Sequence, residues 1–185
     1  MVLAVGVAVA VVRVHRRASA PPPESLLPDL TLVRVAEGAR VSSVSGLARA
    51  RVFSVVDGDT LRVSWNGREE RLRYYGVDTP EKGEACCEEA SRRNAALAGD
   101  EVLLAFDERP RDKYGRILAY VFTPEGLSID AALVAEGFGR AWTRDGRWRD
   151  AMEELEEGAR EADRGCLWSS GRSARRKGSG RRGKK

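Results

Sequence analysis

Three polar clusters interrupt the apolar runs in the middle of this 185-residue chain: Asp57-Gly58-Asp59-Thr60, then Arg73 with Asp78-Thr79-Pro80-Glu81, then Asp112-Lys113-Tyr114-Gly115-Arg116. Their residue types suit phosphodiester hydrolysis. A phosphodiester is an anion that repels nucleophiles and gains negative charge in its pentacoordinate transition state, so a catalyst must aim positive charge at the phosphoryl oxygens. Arg73 and Arg116 carry planar guanidinium forks that match two phosphate oxygens and stay charged at neutral pH. Asp59 and Asp78, with a backbone carbonyl at the Thr79 turn, are hard oxygen ligands of the kind calcium or magnesium takes. Glu81 lies three residues beyond Asp78 and across a proline, where it can orient or deprotonate an attacking water; it is the candidate general base. Zinc chemistry is disfavoured, because the only histidine, His15, lies far from these clusters and the three cysteines lack ligand spacing.

Taken singly, each cluster is also an ordinary turn: Gly accepts positive φ, Pro fixes φ, and Asp bonds its own backbone. What points to a site is the joint pattern, with every cluster at the end of a predicted strand. Arg51 to Val56, Leu61 to Trp65 and Arg68 to Tyr75 read as a three-stranded meander, turned at Asp57-Gly58-Asp59 and at Asn66-Gly67, the latter a strong hairpin signal. Glu84 to Leu97 reads as a helix ending near Gly99, followed by strands at Glu101 to Phe106 and Arg116 to Phe122. Ser128 is placed to cap a helix running to Glu136. Arg147 to Arg164 carries Trp148, Met152, Leu155 and Ala159 at three- and four-residue spacing, the stripe of a helix packing on a core. The order β-β-β-α-β-β-α-α is that of an α+β, mainly β domain: a five-stranded OB-fold barrel with three helices, whose face commonly binds oligonucleotides.

The run Val56-Asp57-Gly58-Asp59-Thr60, Arg73 followed by Val77-Asp78-Thr79-Pro80-Glu81, and Asp112-Lys113-Tyr114-Gly115-Arg116 followed by Leu118-Ala119-Tyr120 resembles the staphylococcal nuclease (thermonuclease) family in order and spacing. The likeness extends to Ile129 to Gly137 and to Arg164-Gly165-Cys166-Leu167-Trp168-Ser169, about Ala48 to Ser170 in all. The resemblance implies the same OB-fold architecture, with calcium held by Asp59, Asp78 and the Thr79 carbonyl, the scissile phosphate held by Arg73 and Arg116, and Glu81 as base. It implies cleavage of DNA and RNA with little sequence preference, at the bond to the 5′ oxygen, leaving 3′-phosphate ends. Lys113 and Tyr114 match residues that contact a neighbouring phosphate, and Trp142 stands where the family commonly has a tyrosine that stacks on a base; stacking of that kind contributes about 1–3 kcal/mol per base. Trp148 and Trp168 are assigned to packing. The segment Lys82-Gly83-Glu84-Ala85 is short, so the long mobile loop of the best-known member is largely missing.

Composition fits one domain with two appendages, taken as an apolar segment over 1–20, a linker over 21–47, the domain over 48–170 and a basic tail over 171–185. With 42% apolar residues the chain can bury one sizeable core. Net charge is +3 over residues 1 to 50, −7 over 51 to 171 and +8 over 172 to 185. The acidic globular part must therefore rely on local cationic clamps and a metal ion to meet a polyanion, rather than on its overall field. Val2 to Val12 is an apolar run of 11, short of the about 20 residues of a membrane span. Ala18-Ser19-Ala20 resembles a signal-cleavage site, although the charges follow the apolar run and Pro21 follows the cut; an upstream start would complete a signal or an anchor. The chain is thus expected to be extracytoplasmic, secreted or anchored. Either Cys86 or Cys87 can pair with Cys166 in an oxidising compartment, the alternative being buried free thiols. The Pro21 to Gly46 stretch reads as a linker with a short extra strand near Leu30 to Val35. The tail, expected to be disordered, can hold nucleic acid or an anionic surface. The expected protein is a monomer that acts on DNA and RNA, preferably single-stranded, with no obligate protein partner. A catalytically silent OB-fold binding or interaction module is the rival class, and a wall- or lipid-associated structural protein, resting on the termini alone, the third.

Overall fold

The computed structural model describes residues 31–36 and 38–169. The apolar segment 1–20 and the basic tail 171–185 lie outside these residues. Thirteen elements occur among the described residues: β1 (Leu32–Val35), β2 (Gly38–Val41), β3 (Ala48–Val55), β4 (Thr60–Trp65), β5 (Arg68–Tyr74), β6 (Val77–Asp78), α1 (Cys87–Ala98), β7 (Glu101–Ala105), β8 (Ile117–Phe122), α2 (Ile129–Ala135), β9 (Arg140–Ala141), α3 (Arg149–Glu161) and α4 (Gly165–Trp168). Strands β3-β4-β5-β8-β7 close into the expected five-stranded barrel. All neighbours are antiparallel except β5 and β8, which run parallel with Leu72 opposite Ile117 and Arg73 opposite Leu118. Asn66 and Gly67 both have positive φ, 52° and 71°, as a two-residue hairpin whose twist matches its strands requires. Every residue of β8 is buried, because its inner face fills the barrel and its outer face lies under α2.

Several features depart from the sequence expectation, among them the short β6–β9 pair. Part of the expected linker is a hairpin of two strands, not one: β1 and β2 pair from Leu32↔Val41 to Val35↔Gly38. It docks on α2, with Ser128 N–H donating to the Ala39 carbonyl at 2.8 Å and Val41 N–H donating to the Gly126 carbonyl at 3.0 Å. Gly38 is required there, since a Cβ would lie 2.9 Å from the Ala131 backbone. The pattern was weak because only Gly38, Ala39 and Val41 of this hairpin are fully buried. The first helix starts at Cys87 rather than Glu84, after two linked turns in which Glu84 N–H donates to the Glu81 carbonyl and Cys87 N–H to the Glu84 carbonyl. A fourth helix, the single turn α4, closes the described chain. The other helices follow their signals: Ser128 Oγ accepts from Ala131 N–H at 3.1 Å as an N-cap, and Met152, Leu155 and Ala159 are the buried stripe of α3. Trp148 packs on Tyr120 and Phe122, while Trp168 lies between the Arg140 and Arg160 guanidiniums.

Cys86, not Cys87, pairs with Cys166, closing a loop with a sequence separation of 80 residues; Cys87 is free and buried. Cys86 is also the N-cap of α1, in a left-handed conformation and without a capping side chain, so the cross-link holds a helix start that lacks its usual polar cap. Loop-closure entropy for that length predicts a stabilisation of up to about 4.5 kcal/mol. We expect Cys86→Ala with Cys166→Ala to lose about 2–4 kcal/mol in urea unfolding, and reductant to reproduce the loss in the unsubstituted protein. A loss under 1 kcal/mol would show that the other contacts of α4 already hold the chain end.

Candidate active site

Asp59 stands in the β3–β4 turn, and its place follows from local bonding. Asp57 Oδ1 accepts from Asp59 N–H at 3.1 Å, and the Val56 N–H reaches the Thr60 carbonyl at 2.9 Å. Helix α1 fixes the same turn from below: Asn94 Nδ2 donates to the Asp57 carbonyl at 3.0 Å while its Oδ1 accepts from Tyr74 Oη at 2.6 Å. At Gly58 a Cβ would come within 2.5 Å of Thr79 Oγ1 and 2.8 Å of Ala90 Cβ, so only glycine lets the two loops and α1 meet. Thr79 then donates its N–H (2.8 Å) and its hydroxyl (3.0 Å) to Asp59 Oδ2.

Arg73 is the hub of this arrangement. Its Nε lies 3.0 Å from Asp59 Oδ1 and its Nη2 lies 2.7 Å from Asp78 Oδ1, while Nη1 donates to the Val77 carbonyl at 2.6 Å and to the Tyr74 carbonyl. Asp59 is 5% exposed, and burial pushes its carboxyl up to about 6 against the lowering by Arg73 and the Thr79 N–H. Asp78 sits on β6, pinned by its pairing with Arg140 on β9, and is exposed. The β6–β9 pair, only two residues on each side, gave no readable strand pattern.

Arg116, at the entry to β8, is oriented by Asp112. Asp112 Oδ2 accepts from Arg116 Nε at 2.6 Å, and Oδ1 accepts the N–H groups of Tyr114 (2.9 Å) and Arg116 (3.0 Å). Burial works against the Asp112 charge, but these bonds hold its carboxyl below the usual range. Both arginines, Asp59, Asp78, Glu81 and Trp142 line one cavity of about 330 Å³. Glu81 is exposed; its backbone is held through its N–H to Glu84 Oε2 at 2.8 Å. Trp142 is half-buried, with Nε1 donating to Asp145 Oδ1 at 2.7 Å. Lys113 and Tyr114 are not brought into the cavity wall. Tyr114 is 72% exposed, with the Lys113 ammonium 4.9 Å and the Arg116 guanidinium 5.6 Å from its ring centre.

Four lining residues escaped the sequence reading: Arg71, Tyr74, Tyr75 and Arg109. Arg71 had a usable signal, since residues two apart on a strand share a face and Arg73 was already assigned. Arg109 had none; it reaches the cavity because Asp145 accepts from its Nη2 at 2.9 Å and its guanidinium lies 5.5 Å from the Tyr75 ring centre.

Beneath the cavity, Asp130 of α2 ties two chain segments together, accepting from Gly76 N–H at 2.7 Å and Val121 N–H at 2.8 Å, with no exposure to solvent. Burial pushes its carboxyl up from 3.8 to about 6 despite these donors. Because the folded-state value is the higher one, its contribution to stability is complete below about pH 4 and is lost as pH rises through about 6, on the order of 3 kcal/mol in all. In Asp130→Asn one acceptor becomes an NH2 group facing a buried N–H, so the variant is expected to be less stable throughout. The wild-type advantage should be largest near pH 4 and shrink by about 3 kcal/mol toward pH 7. Parallel stability-versus-pH curves in urea unfolding would show that Asp130 does not titrate this way.

Residues 71–170, more than half the chain and including Arg73, Asp78, Glu81 and Arg116, match the family described as "Staphylococcal nuclease homologue". Among known proteins, the chain is 37% identical over 134 residues to "Endonuclease YncB" of Bacillus subtilis (strain 168), covering 66% of this chain and 63% of that protein. It is 38% identical over 125 residues to "SPbeta prophage-derived endonuclease YokF" of the same organism, covering 62% of this chain and 42% of that protein. It is 33% identical over 120 residues to "Thermonuclease" of Staphylococcus intermedius, covering 58% and 69%. The chain thus spans less than two thirds of the length of both Bacillus proteins. A closed five-stranded barrel, a cavity that gathers two arginines with Asp59, Asp78 and Glu81, and this match over residues 71–170 place the chain in the staphylococcal nuclease family.

Proposed function

We propose that the chain is a metal-dependent nuclease that hydrolyses phosphodiester bonds of DNA and RNA, preferably single-stranded, with little sequence preference, and leaves 3′-phosphate ends. The observation that carries this reading is the convergence of Arg73, Arg116, Asp59, Asp78 and Glu81 on one solvent-open cavity. Its relatives bear the names endonuclease and thermonuclease, and every residue type the chemistry needs is present, unlike in a silent binding module.

The donor set suits a hard divalent cation. Among the described residues no three His, Cys, Asp or Glu side chains cluster as a complete protein cage. Two carboxylates with remaining positions open to solvent and substrate are what calcium or magnesium accepts. Asp59, Asp78 and the Thr79 carbonyl would hold calcium, with magnesium as the alternative. When bound, the ion supplies positive charge beside the phosphoryl oxygens.

The protein groups then divide the work. Arg116 is held through Nε by Asp112, and its two Nη groups donate to no protein acceptor among the described residues, so they are free for phosphate. Arg73 stands between the two carboxylates and adds charge at the phosphate from the other side. Glu81 takes the proton of a water that attacks phosphorus as the bond to the 5′ oxygen breaks. Its carboxylate is exposed and has no ion-pair partner among the described residues, which leaves it open to such a water. Trp142 offers a ring for a base to stack on, and Tyr114 and Lys113 flank Arg116 on the outer side for a neighbouring phosphate.

The Cys86–Cys166 disulfide supports an extracytoplasmic setting, where such bonds persist. In that setting the protein acts as a monomer, with the basic tail holding polyanions near the site. The test incubates the full chain with single-stranded DNA and RNA in calcium, magnesium or chelator and identifies the product ends. Metal-dependent cutting that leaves 3′-phosphates is the expected result; binding without cutting under every condition would leave only an OB-fold binding module. The full chain is the right sample, because a cut at residue 48 removes the hairpin that covers α2.

A further inference from the structure

The segment that joins β9 to α3 reads Arg140-Ala-Trp142-Thr-Arg144-Asp145-Gly146-Arg147-Trp148-Arg149: four arginines, two tryptophans and one acidic residue in ten positions of an otherwise acidic domain. Its second half forms a wall of a groove of about 620 Å³, separate from the catalytic cavity but sharing Tyr75 and Arg109 with it. We infer that this groove is a second nucleic-acid subsite, in which Arg144 and Arg149 hold a phosphate of the same single strand outside the nucleotides that flank the cut. The inference rests on the proposed nuclease reading and extends it to residues that chemistry at the scissile bond does not need.

The wall is rigid. Gly146 has φ +102°, and a Cβ there would lie 2.4 Å from Tyr120 Oη and 2.7 Å from Tyr75 Cε1, so the turn sits directly on the two stacked tyrosines. Asp145 accepts from both Trp142 Nε1 and Arg109 Nη2, and Asp107 accepts from the Arg147 N–H at 2.7 Å. These two carboxylates frame the groove and offset the charge of Arg109 and Arg147.

Arg144 and Arg149 are placed differently. Arg144 is exposed, has no carboxylate within 4.0 Å among the described residues, and lies with its guanidinium 4.9 Å from the Trp142 ring centre. An arginine without an ion pair, resting on an aromatic ring at the mouth of a phosphodiesterase cavity, carries a charge that a phosphate can take without breaking anything. Among the described residues Arg149 pairs only with its chain neighbour Asp150, both well exposed, and such a pair yields readily to a phosphate. Glu108 is the opposing acidic residue of the lining. The strand would pass from the cavity over Tyr75 and Arg109, which belong to both spaces, with Trp142 at the junction.

The test compares the full chain with Arg144→Ala/Arg149→Ala on two labelled substrates: a dinucleotide with one phosphodiester, too short to reach the groove, and a single-stranded 12-mer. For the 12-mer, KM is expected to rise on the order of tenfold with kcat nearly constant, and the slope of log affinity against log salt to fall by about one to two. For the dinucleotide both constants should change less than twofold. Equal losses on both substrates, or no loss on the 12-mer, would overturn the subsite. Because the basic tail is common to both proteins, its contribution cancels. Fluorescence anisotropy of the 12-mer in chelator separates the two readings: if neither protein cuts, the nuclease proposal fails, while weaker binding by the variant still reports the groove.

Discussion

Glu81→Gln is expected to lower kcat by about 10²–10⁴ while changing KM little and stability by less than about 0.5 kcal/mol. The structure separates these effects unusually well. The Glu81 side chain is exposed and has no ion-pair partner among the described residues, so no contact described depends on its charge, and glutamine keeps its size. Its backbone is positioned independently, by its N–H to Glu84 and by the two turns that lead from its carbonyl into α1. The loss should therefore lie in the chemical step. Stopped-time cleavage assays across substrate concentration, with thermal unfolding of the same preparations, measure both parts. A fall in kcat below tenfold would assign water activation elsewhere; an equal rise in KM would make Glu81 a substrate contact rather than a base.

The barrel was legible in the sequence because its signals are local. Asn66-Gly67 fixes the register of β4 on β5, and the continuous apolar run Ile117 to Phe122 marks a strand buried on both faces. Glu84 to Leu97 was overextended at its start, because composition favoured a helix while the chain uses Glu81 to Cys87 for consecutive turns that feed the cross-link. The hairpin of β1 and β2 was missed as a pair, since its stability comes from docking on α2 rather than from its own alternation. In the site, residues with chemistry written into their type and spacing, such as Asp59, Arg73 and Arg116, were readable. Arg109 was not, because it joins the cavity through Asp145, 36 residues further along the chain, and no spacing rule carries that contact. Lys113 and Tyr114 show the converse: their motif is clear, yet in the free protein they stand beside Arg116 outside the cavity wall, where only a substrate that extends past the cavity would meet them.

Arg73 and Arg116 look equivalent in sequence, yet their removal should have different consequences. Arg73 is the only cation within ion-pair distance of Asp59 among the described residues, its side chain is 12% exposed, and it also binds Asp78 and two backbone carbonyls. Arg73→Ala leaves the Asp59 carboxylate buried without its counter-charge and takes the Arg73 donor from two carbonyls, which should cost about 3–5 kcal/mol in the metal-free protein. Arg116 is half-buried and among the described residues donates only to Asp112, which keeps the Tyr114 and Arg116 N–H groups after truncation. Arg116→Ala removes one charged partner from Asp112 but leaves two N–H donors, so it should cost about 1–3 kcal/mol, while losing about 10²–10³ in kcat as one set of donors to the transition-state charge disappears. Calcium or magnesium at Asp59 and Asp78 would replace the missing counter-charge, so adding the ion should recover part of the Arg73→Ala stability and none of the Arg116→Ala activity. Urea unfolding of both variants with metal and with chelator reads the first difference and kcat reads the second. If the two arginines prove equally costly to stability, Arg73 is not the internal counter-ion that its four contacts indicate; if metal leaves Arg73→Ala unchanged, the two aspartates do not form the cation site.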